Sequence, residues 1–472
     1  MDLCSFLLAI PEDLLPDVLP CNRTLLVLMT NRALYDCGPR LRLPIHVTPS
    51  KALAREYNEW GRLSFQRSCT VQYFLDRSVS MSVHFHIAHF TLQNIGVDDA
   101  TLLIQLFGLC PRMKVLHLHN NQIHDSQMRA LLGAIPASVE VLKLTRQWIK
   151  VGDVECLGLA MQRLSCLKVL DLSENYLNSA GCSFILSSIS STSIDSISLG
   201  VNHIKTGSHR ECDQLGFDRF ALKHLDLKHN LINFNHINSI FKCVKMSATV
   251  IEELDLSHND LRVSGVSLLS GHLQQCVRLR RLNVAGNRMQ NEGFYFLMCV
   301  ISPPPHKSAG VRGGIALHSL DVSSNELTES SSGIFATCVS GNLNLQKTLC
   351  DISFSGNYFY DVGVKMIVET LRPYPISKLC LAKTRLGECA GGTLASAMQS
   401  WPNLRFLDVN TNRMRDTCLL LIAISMCNKS TKNRELYFRD NCTIHSSTSE
   451  HIHTMLLKNN IKHDPSLFRF VS

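Results

Sequence analysis

Leu167-Lys168-Val169-Leu170-Asp171-Leu172-Ser173-Glu174-Asn175-Tyr176-Leu177 is the stretch from which the rest of the chain can be read. With Leu167 as step 0, leucine stands at steps 3, 5 and 10 and asparagine at step 8. The same order returns in Ile251–Leu261, Leu279–Met289 and Leu404–Met414. Side chains alternate along a strand, so steps 3 and 5 face one side while steps 4, 6 and 7 face the other. The step-8 amide follows the strand where the chain turns inward. There it can donate to and accept from buried backbone groups that no sheet or helix satisfies, and successive amides form a ladder. An apolar helical run follows, Gly181 to Ile189 in this unit, whose apolar face closes the core against neighbouring strands.

Step 8 runs Gln93, Asn121, Gln147, Asn175, Asn202, Asn230, Asn259, Asn287, Asn325, Asn357, Thr384, Asn412 and Asn441, which makes thirteen units. Most spacings are 26 to 29 residues, long enough for a full helix in each unit. The pattern resembles the leucine-rich repeat signature, and over residues 85–460 it resembles the ribonuclease-inhibitor-like subfamily. That resemblance implies an α/β solenoid, a horseshoe with a parallel concave β-sheet and outer α-helices. Two spacings are stretched, 38 residues from Asn287 to Asn325 and 32 from Asn325 to Asn357. The excess falls at residues 302–314, rich in proline and glycine, and at 341–348. Both read as surface loops lying side by side on one rim.

Length alone, 472 residues, would suggest about three domains. A solenoid grows in one dimension and need not split, so the repeat overrules that count. The net charge of +8 is modest and no basic block stands out, which argues against nucleic acid as partner. The first residues carry a brief apolar run with no basic residue before it, and Glu12 and Asp13 follow at once, so no signal peptide is expected. No apolar run reaches the roughly 18 residues of a membrane span. The 19 cysteines are odd in number and many fall in helical segments, which fits reduced, buried thiols and an intracellular location, cytoplasmic with a cytoskeleton-associated or nuclear one as alternatives.

Residues 1–84 do not carry the repeat and read as a small helical N-terminal cap, with residues 461–472 as a C-terminal cap. Within the first segment, Ile10, Pro11, Asp13, Leu14, Leu15, Val18, Leu19, Leu25, Leu26, Leu28 and Tyr35 fall as in an F-box. This resemblance implies a substrate receptor of a cullin-RING ubiquitin ligase, with Pro11, Leu14, Leu15, Leu19, Leu25 and Leu26 holding the adaptor. The gap between its two helices is a couple of residues short, and tyrosine stands where tryptophan or phenylalanine is usual. A plain cover for the first exposed repeat accounts for the same residues.

The leading expectation is a protein-protein interaction scaffold rather than an enzyme, binding another protein through the concave face and one rim. Steps 4 and 7 supply the face; step 4 reads His117, Lys143, Asp171, Asp226, Asp255, Asp321, Asp408 and Tyr437 among others, basic or titratable first and acidic in the middle, a strip that would favour a basic partner. Trp148, Tyr176, Tyr358 and Tyr437 are candidate aromatic anchors. His229 and His258 fall at step 7 of neighbouring units, about 5 Å apart, but a metal would need a further ligand. His84, His86 and His89 lack a Cys-x-x-Cys companion and read as an ordinary strand. No phosphate loop or nucleophile elbow fits the scaffold, so neither a cofactor nor a metal is expected. Ran GTPase-activating proteins share this repeat subtype, and that resemblance would give Arg146 a role at a bound GTPase's nucleotide.

Overall fold

The structure, a computed structural model, describes residues 61–65, 87–93 and 100–463, apart from 122, 124, 190–191, 205–221, 235–246, 248–249, 303–313, 341 and 442–444. The adaptor residues Pro11, Leu14, Leu15, Leu19, Leu25 and Leu26, together with His84 and His86, lie outside the described residues. The chain forms two compact units, Met1–Leu222 and Lys223–Ser472.

In the first unit, β1 (Gly61–Phe65), β2 (Ile87–Gln93), β3 (Val115–His119), β4 (Val141–Thr145), β5 (Val169–Asp171) and β6 (Ser196–Ser198) pair in chain order. All these pairings are parallel. Helices α1 (Ala100–Leu109), α2 (Asp125–Ala134), α3 (Val154–Arg163) and α4 (Asn178–Ile189) alternate with the strands. The second unit repeats the plan with β7 (His224–Asp226), β8 (Glu253–Asp255), β9 (Arg281–Asn283), β10 (Ser319–Asp321), β11 (Asp351–Ser353), β12 (Lys378–Cys380), β13 (Phe406–Asp408) and β14 (Glu435–Tyr437). Its helices are α5 (Arg262–Leu273), α6 (Gln290–Ile301), α7 (Glu329–Val339), α8 (Leu343–Thr348), α9 (Tyr360–Leu371), α10 (Glu388–Met398), α11 (Asp416–Cys427) and α12 (Ser446–Lys458). This is a leucine-rich repeat solenoid.

Step 3 fixes the register. Leu116, Leu142, Leu170 and Ile197 form one row across β3 to β6, and Leu254, Leu282, Leu320, Ile352, Leu379 and Leu407 another across β8 to β13. All are buried against the helices. Each contributes roughly 1.5–3 kcal/mol of apolar transfer, and a one-residue slip would turn the whole row outward. The described cysteines are all free. Burial pushes the Cys110 and Cys380 thiols up to about 12, so they remain neutral small hydrophobes.

Two features amend the sequence reading. Strand β1 joins the sheet ahead of the first unit expected near Phe85, with Leu63 opposite Phe90 and Phe65 opposite Leu92; Phe90 in turn faces Leu116 and Gln93 faces His119, so the first unit is set two residues later than expected and Gln93 stands at step 6 on β2, not at step 8. The apolar alternation of β1 is intact, but Ser68 stands where the step-8 amide would, so the repeat signature is silent there. Of the stretch 341–348 expected as a loop, residues 343–348 form a helix. Asn342 accepts from the Leu345 N–H at 3.0 Å and starts α8, burying Leu345. The Asn342 amide donates to Ser302 Oγ at 2.9 Å, joining the bases of the two inserted stretches.

The step-8 amides stitch the units together. Asn175 Nδ2 donates to Leu172 O of its own unit at 2.9 Å and to Leu144 O of the unit before at 2.7 Å. Its Oδ1 accepts from the N–H groups of Gln147 and Ile149 in that earlier unit. Asn325, Asn357 and Asn412 repeat the scheme in the second unit. The ladder therefore runs from amide to neighbouring backbone. Thr384 interrupts it, because its hydroxyl donates to Leu381 O at 2.8 Å and cannot reach back with a second atom. The N–H groups of Asn357 and Phe359 consequently lack the side-chain acceptor that Asn357 provides for Asn325 and Leu327. Thr384→Asn should supply it and raise stability by about 1–2 kcal/mol, read as a higher urea midpoint; an unchanged or lower midpoint contradicts this account.

A second set of side chains closes helix ends. Arg163 donates to Leu132 O of α2 at 2.8 Å, Tyr374 to Val339 O of α7 at 2.9 Å and Trp401 to Leu371 O of α9 at 2.9 Å. Each donor lies in or just after one helix and satisfies a last-turn carbonyl of a preceding one.

Candidate interaction surface

The open face of each unit's sheet is built from steps 4 and 6. In the first unit it carries His117, Lys143 and Asp171 in line, each partly exposed. His117 Nε2 and His119 Nδ1 lie 3.3 and 2.8 Å from Thr145 Oγ1. Burial, and then the Lys143 charge, hold the His117 imidazole below its usual range, so it is neutral at pH 7.

The step-4 aspartates have a local duty. Oδ1 of Asp171, Asp226, Asp255, Asp321 and Asp408 each accepts from the backbone N–H two residues on, at 2.9–3.0 Å. Asn283 does the same with Ala285 N–H at 3.1 Å. These are Asx turns that end the strand and begin the inward bend, which is why the residue recurs at this step. Their second oxygens remain on the open face, that of Asp226 paired with Lys228 at 3.1 Å and that of Asp255 accepting from Asn283 at 3.1 Å. At the far end of the second unit, Tyr437 is the last residue of β14, its hydroxyl donating to Glu435 Oε2 at 2.8 Å and its ring 5.4 Å from Phe406. Burial raises the Asp408 carboxyl above the usual carboxylate range.

Step 7 is left-handed in every repeat from Asn120 onward. Asn120, Arg146, Glu174 and Val201 in the first unit and His229, His258, Gly286, Ser324, Gly356, Lys383, Thr411 and Asp440 in the second have φ between 50° and 71°. The bend that drives the step-8 amide inward imposes this conformation, including on β-branched Val201, which is otherwise disfavoured there. Arg146 is exposed on this bend. His229 and His258 stack with ring centroids 4.1 Å apart and planes within 6°. Burial, then the His258 and Lys228 charges, lower the His229 pKa. A Cβ at Gly286 would fall 2.7 Å from His258 Nδ1, so the imidazole fills the space of the missing side chain. Among the described residues no third ligand completes a metal site.

Step 9 carries the exposed aromatics. Trp148, 48% exposed, leans on Tyr176, 45% exposed, at 5.6 Å, and Tyr176 stacks on His203 at 5.4 Å. His203 was not singled out from sequence, although it occupies the same step one repeat later. In the second unit Tyr358 lies beneath the Arg385 guanidinium at 4.9 Å.

A Leucine Rich repeat family model matches residues 247–270. Ribonuclease inhibitor of Sus scrofa is 25% identical over 351 residues, covering 72% of this chain and 74% of that protein. NACHT, LRR and PYD domains-containing protein 14 of Mus musculus is 25% identical over 239 residues, covering 50% of this chain but only 23% of that protein. Among solved structures, a chain in the crystal structure of the Rad7 and Elc1 complex in yeast matches with TM-score 0.50 and 14% identity, over 84% of this chain and 83% of that one, a likeness of fold alone. Repeat, ladder and relatives agree on a leucine-rich repeat solenoid, and over most of its length the chain is similar to ribonuclease inhibitor.

Proposed function

We propose that the chain is a scaffold that recognises another protein, using the open faces of its sheets and the strand-to-helix edges beside them. The observation that carries this reading is the Trp148–Tyr176–His203 row, large rings held half-exposed on a backbone fixed by buried amides. Aromatic rings with little freedom left to lose contribute disproportionately to protein interfaces. The step-4 aspartates would add charge selection through their outward oxygens.

Charge reversal of those aspartates would also break their turns. Asp226→Asn with Asp255→Asn keeps the turn acceptor and removes only the charge. Partners identified by proximity labelling in the native cell supply the ligand for the test. Trp148→Ala with Tyr176→Ala should weaken binding about tenfold or more. The asparagine pair should weaken it severalfold and make it less sensitive to salt, with melting temperatures near wild type. Full retention of every labelled partner by both variants refutes the reading.

A further inference from the structure

Lys383, Arg385, Arg413 and Arg415 stand on the strand-to-helix edge of the second unit, at steps 7 to 11 of two successive repeats, and all four are exposed. Among the described residues none of them forms an ion pair. The carboxylates that could have quenched them are engaged elsewhere. Asp361 Oδ1 accepts from the N–H groups of Gly387 at 2.6 Å and Ala390 at 3.4 Å, and Asp416 accepts from His445 N–H at 3.1 Å. Asp440 lies 3.8 Å from Arg439. Glu388 stands beside the group in the first turn of α10, where the helix dipole favours it.

Arg385 is held in place by aromatic rings. Its guanidinium lies 4.9 Å from the Tyr358 ring and 5.1 Å from the Tyr360 ring, and it donates to the Tyr360 hydroxyl. Both tyrosines are themselves exposed. A guanidinium has five N–H donors in a rigid fork, so a stacked one with a single bond used still offers a bidentate edge to a carboxylate, with its ordering cost already met. Consecutive repeats run side by side here. Thr328 bridges Tyr358 in parallel, and Arg413 N–H donates to Leu386 O at 2.7 Å. The row Tyr358, Arg385, Arg413 therefore advances about 5 Å per repeat, a span that about three extended residues of polypeptide would cover.

We infer that this edge docks an acidic stretch of polypeptide on the partner protein, with Arg385 and Arg413 each taking a carboxylate and Lys383 and Arg415 adding field. The inference rests on the protein-binding reading and adds to it the edge used and the charge of the segment bound. Nucleic acid is the competing occupant. It is disfavoured because a net charge of +8 is thin for 472 residues and because the tyrosine faces here are covered by a guanidinium rather than open to a base.

The test uses the full chain and a fluorescein-labelled peptide of alternating Glu and Asp, followed by anisotropy at low salt, with a mixed-sequence single-stranded DNA of similar length in parallel. Wild type should bind the peptide in preference to the DNA, and binding should fall as salt rises. Arg385→Glu with Arg413→Glu should weaken it by about tenfold or more. Arg385→Lys should weaken it severalfold, because it keeps the charge and loses the fork. Lys347→Glu with Lys365→Glu makes the same charge change on the helix side and should leave binding within about twofold. Circular dichroism melts confirm that each variant is folded. Absence of peptide binding by wild type, equal loss in the two double variants, or preference for DNA overturns the inference. If a partner labelled in the cell stays bound to Arg385→Glu with Arg413→Glu yet is lost by Trp148→Ala with Tyr176→Ala, the scaffold reading stands and this edge is wrong.

Discussion

Asn325→Ala should cost about 3–5 kcal/mol of stability, among the largest effects of any polar substitution in the chain. The residue is fully buried. Its Nδ2 donates to Val284 O at 2.9 Å, Val322 O at 3.1 Å and Ser323 O at 3.0 Å, and its Oδ1 accepts from the N–H groups of Asn287 at 3.0 Å and Met289 at 3.3 Å. Alanine removes the amide and leaves two N–H groups with nothing to donate to, in a space closed to water by Val284, Val322 and Leu327. Each buried orphan costs about 1–3 kcal/mol, so the total exceeds what the lost side-chain volume alone would give. The groups left stranded are in the preceding repeat, so the damage is to the joint between repeats. Native-state hydrogen exchange should show faster exchange of Asn287 and Met289 amides and of strands β9 and β10. A loss below about 1 kcal/mol, or exchange changes confined to residues after Asn325, would contradict the amide's role as the link between neighbours.

What the sequence disclosed and what it concealed divide along a physical line. Steps 3, 5, 8 and 10 were legible because each repeats the same burial, and a repeated environment selects a repeated residue type, as Leu170, Leu172, Asn175 and Leu177 show. The left-handed step 7 was not legible, because the neighbouring amide bonds impose the backbone conformation and the side chain is free to vary. Only Gly286 and Gly356 betray it, while Val201 at φ 55° would never be chosen for such a site by local preference. The step-4 aspartates could have been recognised from the Asp-x-Ser spacing of Asp171 with Ser173 and of Asp255 with Ser257, a turn signature that the charge reading masked. The basic edge was hidden for another reason. Arg385 and Tyr360 are 25 residues apart and stand at different steps, so their contact is visible only once steps 9 and 11 of adjoining repeats are known to abut. The helix at residues 343–348 went unseen because an insertion breaks the period that guides the reading, although Asn342 is an ordinary helix cap.

Arg434→Ala should loosen the end of the second unit, with a cost of about 2–3 kcal/mol and a clear polarity along the chain. One guanidinium nitrogen donates to Met426 O at 2.9 Å, Cys427 O at 2.9 Å and Lys429 O at 2.8 Å, three carbonyls at and just beyond the C-terminal end of α11. The other donates to Asn459 O at 2.6 Å, just beyond α12. A helix C-terminus presents unpaired carbonyls and partial negative charge, so a cation with several donors answers both needs at once. Here one side chain serves two consecutive helix ends and so ties α12 to the repeat before it. Arg434→Lys keeps the charge but has no planar fork, so it should recover only part of the loss. In a stack where each repeat leans on its neighbours, weakening the terminal joint lets the end open without the rest. Limited proteolysis should therefore cut Arg434→Ala first within residues 445–463 while the stretch around buried Trp401 stays protected, its indole still bonded to Leu371 O at 2.9 Å and its fluorescence still that of a buried ring. Cleavage beginning instead near Trp401, or an unchanged digestion pattern, would show that α12 is held by its apolar contacts, with Ile452 and Leu456 sufficient without the arginine.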